Sequence, residues 1–410
     1  MPGAPRPVAR PTGPVLAALA PELPAAVVHD GPGVVLACGA EEVVVASGQA
    51  AFAALDRLGD GWWAGAVSYE LGRSVERVTR RVPAPDDLPD LSFVRFAALA
   101  HLDPDGGVRI EGRGDARRRL AAALDAPVAV PPPSTRGPWH SSLDRADFET
   151  GVHTIVGHIE AGDCYQVNLT RRLSAAPVDP VALWHAIESG NPAPHATFLR
   201  ADDRAVVSAS PERFLSLEER HVETRPIKGT AERAATLRAS AKDRAENVMI
   251  TDLARNDLGR VAVPGSVHVP ALCELEPHPG LVHLVSTVRA RLREEVGWGD
   301  LLRATFPPAS VTGAPKPRVL QVIEDLEPVP RGLYCGALGF IDTHRDRADL
   351  AVAIRTFTLG PDSVHLGVGA GITADSDPAA EWAETELKAV RLLELAAPAP
   401  ARVAVAAGAR

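Results

Sequence analysis

Apolar residues alternate with polar ones in some stretches of this chain and recur every third or fourth position in others. Between residues 15 and 124 the two patterns mix. VVLA and EEVVVAS predict short strands, QAAFAALDRL a helix, and GWWAGAVSYELG a strand bordered by glycines. Phe148, Val152, Ile155, Val156 and Ile159 then follow at helical spacing, with Ser142 or Asp144 as cap and a stop at Ala161-Gly162. CYQVNLTRRL sets Tyr165, Val167 and Leu169 against Gln166, Asn168 and Thr170, which predicts a strand with Gln166 and its alternate neighbours on one face. RAVVSASPERFLSLEE reads as a hairpin carrying Glu212, and PIKGT as a turn. An Ala-rich helix is expected from about Thr236 to Asn256, with Glu246 in its middle, and a last helix from about Pro378 to Leu395, just after GVGAGITADSD.

The pattern breaks at DAPVAVPPPSTRGP, where consecutive prolines exclude a helix or a central strand. This divides the chain into a flexible leader (1–14), an N-terminal region (15–124), a Pro-rich linker (125–139), a motif-dense region (140–395) and a disordered Ala/Pro tail (396–410). A chain of 410 residues can bury a large core as one domain or two. Its net charge of −9 argues against a nucleic-acid partner. Cys38, Cys164, Cys273 and Cys335 are scattered, with no zinc spacing, and read as reduced thiols of a cytoplasmic protein. No apolar run is long enough to cross a membrane, and the first residues lack a signal core.

Charge chemistry sharpens the picture. Four of the 43 Lys and Arg residues are lysines: Lys228, Lys242, Lys316 and Lys388. A lysine that survives such a bias towards arginine marks a place where an amine is needed, because lysine can lose its proton when buried and arginine cannot. Lys228 lies in TRPIKGTAER, outside any charged helix face; the plain alternative is a leftover surface charge. Glu381, Glu384 and Lys388 fall on one face of the last helix, and Asp243, Glu246 and Ile250 on one face of the Ala-rich helix. These are either solvated pairs or the carboxylates of a Mg²⁺ site, since Mg²⁺ uses one or two carboxylates, waters and the oxygens of an anionic substrate. His283 is either a core histidine or a catalytic donor. GVGAGIT, Gly367 to Thr373, reads as a glycine-rich turn between a strand and the last helix; the amides of Gly369, Ala370 and Gly371 there can cradle a carboxylate, or the glycines can serve close packing. Arg355, among apolar residues, needs an anionic partner, structural or bound.

Taken together, YQVNLT, SPERF, RPIKGT, AKDRAEN, DLARNDLGRV, HLVSTV, FPPASVTGAPK, YCGALGFID, AIRTF, GAGITADSDP and ETELKA resemble, in order, the motifs of the chorismate-utilising enzymes. The resemblance is dense over residues 140–395 and loose before them. It implies an α+β fold with large antiparallel sheets sandwiched between helices, the active site between them, and a Mg²⁺-dependent site for chorismate. Gln166 stands where the water-adding isochorismate and salicylate synthases have a lysine base, which argues against water as nucleophile. Lys228 stands where anthranilate synthases usually have alanine, and matches the nucleophile of aminodeoxychorismate synthase component I. That member aminates chorismate at C4 on the way to 4-aminobenzoate and folate.

The same resemblance assigns Glu212 as the acid that protonates the leaving hydroxyl, and His283 to a place near the C4 oxygen or the metal. It makes Glu246 and Glu384 the Mg²⁺ ligands, with Asp243 and Glu381 acting through waters. Arg355, Lys388, Tyr334, Gly229, Thr230, Gln166 and the Gly369, Ala370 and Gly371 amides then hold the substrate. Lys316 is assigned to ammonia delivery or packing, and Lys242 to no catalytic role. No cysteine sits in a GxCxG elbow, so ammonia is expected from a separate glutamine amidotransferase subunit. The alternatives are an anthranilate synthase, or another C2-aminating relative, and a non-catalytic chorismate-binding protein.

Overall fold

The computed structural model describes residues 11–79, 89–134, 138–278 and 281–397. Its frame is an antiparallel sheet followed here strand by strand. Gln166–Ala175 pairs with Val364–Ile372, then come Thr356–Leu359, Arg204–Ser210 and His195–Ala201. The N-terminal region comes next: Ala25–Asp30, Gly33–Ala46, Leu91–Leu102 and Trp62–Val67. The sheet then returns to the second half of the chain through Ala337–Asp342, Arg347–Val352, Arg213–Glu218, His221–Arg225 and Leu281–Arg291. Ile227–Ala231 and His268–His278 also pair with Leu281–Arg291. The expected α+β architecture is what forms.

Both faces are covered. One outer core joins Val152, Leu301, Val319 and Val322 of helices to Val167, Leu215, Val288 and Ile341 of strands. A second joins Val15, Leu183, Trp184 and Leu392 to Val27, Leu36, Phe198 and Leu366. The period of two along a strand sends Trp62 and Trp63 to opposite faces; Trp63 joins the first outer core, while Trp62 stacks on Phe340 at 5.6 Å in an inner cluster. A cavity of about 610 Å³ lies on that inner side, walled by residues from both halves such as Ala64, Ser92, Val206 and Leu333.

Several expectations change in the fold. The break in sequence pattern at 125–139 is not a break in the sheet, because the N-terminal strands lie between two blocks of later strands. The leader is held from residue 11 on: Thr12 is buried, with its backbone N–H and hydroxyl donating to the Glu188 carboxylate at 2.8 and 2.7 Å. Residues 1–10, 135–137 and 398–410 of the leader, linker and tail lie outside the described residues. VVLA and EEVVVAS merge into one bulged strand, Gly33–Ala46. The expected Ala-rich helix divides at Ser240 into Ala234–Ala239 and Ala241–Gly259, because the Ser240 hydroxyl accepts from the Asp243 N–H and caps the second piece.

The SPERF segment is not a hairpin. Arg204–Ser210 and Arg213–Glu218 pair with different strands, so the chain crosses from one block to the other at Pro211-Glu212. PIKGT is a bulged strand rather than a turn, and GVGAGI is a strand rather than a glycine-rich turn.

A buried arginine ties these pieces together. Arg331 forks onto Glu327 at 2.7 and 2.9 Å and donates to the Val311 and Asn168 carbonyls. Glu327 in turn accepts from the Thr170 N–H at 2.9 Å. Three segments that carry site residues are thereby fixed to one guanidinium.

Candidate active site

Glu212 occupies the crossing. Val352 N–H donates to the Glu212 carbonyl at 3.0 Å and Ser210 Oγ to the Val352 carbonyl at 2.6 Å, which pins the bend. The carboxyl is 4 % exposed and is hydrogen-bonded by the Ser310 hydroxyl and the Ile227 N–H. Burial pushes it up to about 7, against the opposing pull of Ser310, Lys228 and the Ile227 N–H. A carboxyl so placed still holds its proton near neutral pH and can give it away.

Lys228 comes from the bulged strand Ile227–Ala231. The bulge lies between the Ile227–Val285 and Thr230–His283 pairs, and Gly229 takes φ +89° there. A Cβ on Gly229 would meet Asp243 Cβ at 3.0 Å, so glycine serves both the left-handed backbone and the close approach to the helix. Lys228 keeps some surface open to the site, yet the protein packed around it lowers its pKa. Burial is the first cause; Lys388 adds to it, while Glu246, Glu212 and Glu384 oppose it. Lys228 and Glu212 are therefore both driven towards their neutral forms, the condition under which an amine can act as a nucleophile and a carboxyl can give up a proton.

Opposite Lys228 runs the strand Val364–Ile372, on which Gly367, Gly369 and Gly371 share a face. A Cβ on Gly371 would lie 3.3 Å from Lys228 Nζ, 2.5 Å from Gln166 Nε2 and 3.1 Å from Asn168 Oδ1. Gln166 is fully buried and its Oε1 has no partner among the described residues, so the amide has an acceptor to spare at the site. On its other edge, Thr356–Leu359 reaches only as far as Leu366, so the backbone from Gly367 onward lacks a strand partner there among the described residues. Gly371 thus combines an open face with an edge that lacks a strand partner, while Gly369 packs against Thr170 and its carbonyl accepts from Lys388. Ala370 alternates with them and turns its methyl into the core. We expect Gly371→Ala to lower kcat by about 10- to 100-fold, since displacing reacting groups by an ångström has that scale of effect. The melting temperature should barely move, and steady-state kinetics beside a thermal melt checks both.

The carboxylates converge from two helices. Lys242 Nζ lies 4.0 Å from Glu246 and 3.7 Å from Glu381, so it bridges the Ala241–Gly259 and Pro378–Ala396 helices. Glu384 pairs with Lys388 at 2.6 Å, and Lys388 also donates to the Gly369 carbonyl at 2.9 Å. Burial raises Glu246 and Glu381; Asp243 and Glu381 push Glu246 higher still, and Glu384 does the same to Glu381. Burial is the largest single influence on Glu384 and acts upward, but the charge and hydrogen bond of Lys388, joined by Lys228 and Lys242, together hold that carboxyl low. Among the described residues no three carboxylate, His or Cys side chains form a ready metal cage. Two helices each presenting one carboxylate, with mutual repulsion left over, still suit a Mg²⁺ ion completed by substrate oxygens and water.

His283 is 2 % exposed and shares a 2.8 Å hydrogen bond through Nδ1 with the Thr230 hydroxyl. Burial, then His278 and Arg355, lower it to about 3, so the ring is neutral. His278 packs edge-on against it at 4.7 Å. Arg355 sits at φ +51°, in the left-handed region that an unbranched residue enters only at a cost; its carbonyl accepts from the Ala209 N–H at 3.0 Å, while its guanidinium has no hydrogen-bond or ion-pair partner among the described residues. A guanidinium buried without an anion awaits one. Tyr334 packs on Gly367 and lines the inner cavity, at the far end of the glycine face from Lys228.

The structure thus gathers Lys228, Glu212, Gln166, Gly371, Glu246, Glu384 and Lys388 around one space, joins Thr230 to His283, and leaves Tyr334 at the margin. Asn168 and Ser310 were missed. Asn168 was legible as the alternate neighbour of Gln166; Ser310 reaches Glu212 from a distant loop and carries no sequence signal. Lys242, given no role, is the bridge between the acidic helices, and Lys316 is bonded to Asp257 at 2.6 Å and to the Thr305 carbonyl at 3.0 Å.

The family of chorismate binding enzymes matches residues 33–394. Aminodeoxychorismate synthase component 1 of Klebsiella aerogenes is 41% identical over 343 residues, covering 80% of this chain and 76% of that one. Anthranilate synthase component 1 of Streptomyces coelicolor is 38% identical over 378 residues, covering 81% and 73%. The crystal structure of anthranilate synthase component I from Streptococcus pneumoniae superposes with a TM-score of 0.74 at 27% identity, over 91% of this chain and 90% of that one. The glycine face, the lysine beside a carboxyl raised to about 7 and the paired acidic helices are therefore features of a chain that belongs to the chorismate binding enzymes.

Proposed function

We propose that this chain aminates chorismate at C4 to give 4-amino-4-deoxychorismate, a precursor of 4-aminobenzoate and folate. The observation that carries the reading is Lys228, held towards its neutral form beside the proton-bearing Glu212. The Lys228 amine attacks C2, the ring double bonds shift, and the C4 hydroxyl leaves as water with the Glu212 proton. Ammonia then adds at C4, the double bonds shift back, and Lys228 departs from C2. The Glu212 carboxylate takes up a proton from the new ammonium group, so the sum is chorismate plus ammonia giving aminodeoxychorismate plus water. His283, oriented by Thr230, faces the reacting side as a neutral donor. Arg355, Lys388 and the unpaired amides beside Gly369 and Gly371 hold carboxylates.

Mg²⁺, held by Glu246 and Glu384 with Asp243 and Glu381 behind waters, would neutralise and orient the ring carboxylate. Chelation with EDTA should abolish turnover, and Glu384→Gln should do the same while leaving the circular dichroism spectrum intact. Undiminished activity after chelation removes the metal from this account.

The name "component 1" of the Klebsiella relative supports a second subunit, read here as a glutamine amidotransferase. The isolated chain should use ammonium salts and not glutamine, at a rate rising with the NH₃ fraction. Amination at C2 is the second reading, favoured by the match to anthranilate synthases. The mass spectrum of the product from chorismate and ammonia separates the two, because anthranilate has lost pyruvate and aminodeoxychorismate keeps it.

A further inference from the structure

Asn168 stands between two parts of the site. It pairs with Gly371 in the sheet, and its side chain shares a strand face with Gln166. Its Nδ2 donates to the Ser310 carbonyl at 3.2 Å, and its Oδ1 accepts from Gln166 Nε2 at 3.3 Å. A backbone carbonyl can only accept, so the Ser310 bond decides which end of the Asn168 amide faces Ser310 and which faces Gln166. The Gln166 amide is oriented in its turn, with its nitrogen towards Asn168.

Ser310 belongs to the short 3₁₀ turn Ala309–Val311. Its hydroxyl bonds the Glu212 carboxyl alongside the Ile227 N–H. The turn's own backbone holds it weakly. The Val311 N–H reaches the Pro308 carbonyl, and the Thr312 N–H the Ala309 carbonyl, at 3.3 Å each; the Thr312 hydroxyl adds a bond to the Pro308 carbonyl at 3.0 Å. From outside, the Val311 carbonyl accepts from Arg331 at 2.9 Å and the Thr312 carbonyl from the Asn168 N–H at 2.8 Å. Just past the turn, Gly313–Ala314 pairs with the strand that carries Asn168. At the Ser310 carbonyl itself, the Asn168 side chain is the outside tether among the described residues.

We propose that Asn168 is a positioning residue for Glu212: by holding the Ser310 carbonyl it aims the Ser310 hydroxyl at the carboxyl that gives up the proton. The inference rests on the reading of Glu212 as the acid of C4 amination. A donated hydrogen bond favours the charged carboxylate, so a lost or misaimed Ser310 hydroxyl leaves the Glu212 proton more firmly held. A neutral substitution of Asn168 alters none of the charges around Glu212. Lys228 is the cation that acts on it. Arg213, the next residue, is spent on Asp349 and Glu223, and Asp257, in the wall of the small space beside Glu212, is paired with Lys316.

The test is the pH profile of kcat/KM for chorismate, measured on the full chain with free NH₃ held constant. Asn168→Leu removes both side-chain bonds at similar size, Asn168→Ala removes them without the bulk, and Ser310→Ala removes the hydroxyl alone. The descending limb should move from about 7 to higher pH, by about one unit in Ser310→Ala and by at least about half a unit in each Asn168 variant. In the double variant Asn168→Leu/Ser310→Ala the limb should stand no higher than in Ser310→Ala, because both changes remove the same hydrogen bond. Lost packing alone would lower the rate at every pH, or the melting temperature, without moving the limb. A limb unmoved in a folded Asn168 variant overturns the inference, as do shifts that add in the double variant. The two Asn168 variants differ in size, so that if one fails to fold the other still gives the limb. Failure of the acid reading shows separately: the limb then survives Glu212→Gln, and this inference falls with it. A limb abolished by Glu212→Gln yet unmoved by Asn168→Leu removes the role of Asn168 alone.

Discussion

Lys228→Arg should be nearly as damaging as Lys228→Ala, each lowering turnover by roughly 10²-fold or more at saturating ammonia, the scale of a lost nucleophile. Arginine keeps the positive charge that could hold a substrate carboxylate, but it cannot shed a proton to become an amine nucleophile. The site already contains other cations to hold carboxylates: Lys388 on the last helix, and Arg355, whose guanidinium has no partner among the described residues. What it would lose is the one amine that burial drives towards neutrality next to Glu212. Lys228→Ala leaves the glycine-facing space open, so slow direct amination, detectable as a change of product, can survive. An Arg variant within a few-fold of the parent would sink the covalent route and the main ground for choosing C4 over C2.

Glu212→Gln should cost about 10²- to 10⁴-fold in kcat, the usual contribution of a positioned acid. The pH dependence gives the sharper reading. Because the carboxyl is raised to about 7, its acid form is present below that pH and lost above it. With the free NH₃ concentration held constant, the parent rate should fall as pH climbs through about 7. Glutamine keeps the shape and the Ser310 contact but has no proton to lose, so that descending limb should vanish. A variant with the limb intact would move the acid role to another group. The comparison must use constant NH₃, since at constant total ammonium the growing free-base fraction masks the loss of the acid.

The local elements that run on a clean period were legible in the sequence. The Arg145–Glu160 helix with its Asp144 cap, the Gln166–Ala175 strand and the Pro378–Ala396 helix stand where the pattern puts them. The acidic face of the last helix followed from the same spacing. What the pattern missed was partnership. A strand–Pro–strand sequence looks like a hairpin whether its arms pair with each other or with others, and at Pro211-Glu212 they pair with others. GVGAGI reads as a turn because glycine favours turns, but here glycines clear one face of a strand for Tyr334, Thr170, Gln166 and Lys228. Ser240 divides a helix that Ala-rich propensity alone would carry through, because a side-chain cap outweighs tenths of a kcal/mol of propensity. The cluster around Lys228 draws residues from 166 to 388, and no local signal brings Ser310 to Glu212; only the resemblance of ordered motifs did comparable work.

The N-terminal strands have an implication for cutting the chain. His195–Ala201 and Ala337–Asp342 each use one of their edges on a strand that comes before residue 125. Proteolysis or truncation within the Pro-rich segment would release no minimal catalytic fragment. It would strip two strands at once and present two raw, hydrophobic ladders to solvent, a template for intermolecular pairing. The same arrangement makes the two portions natural candidates for complementation: each supplies the ladder the other lacks, so they should regain activity when mixed and neither should stay soluble by itself.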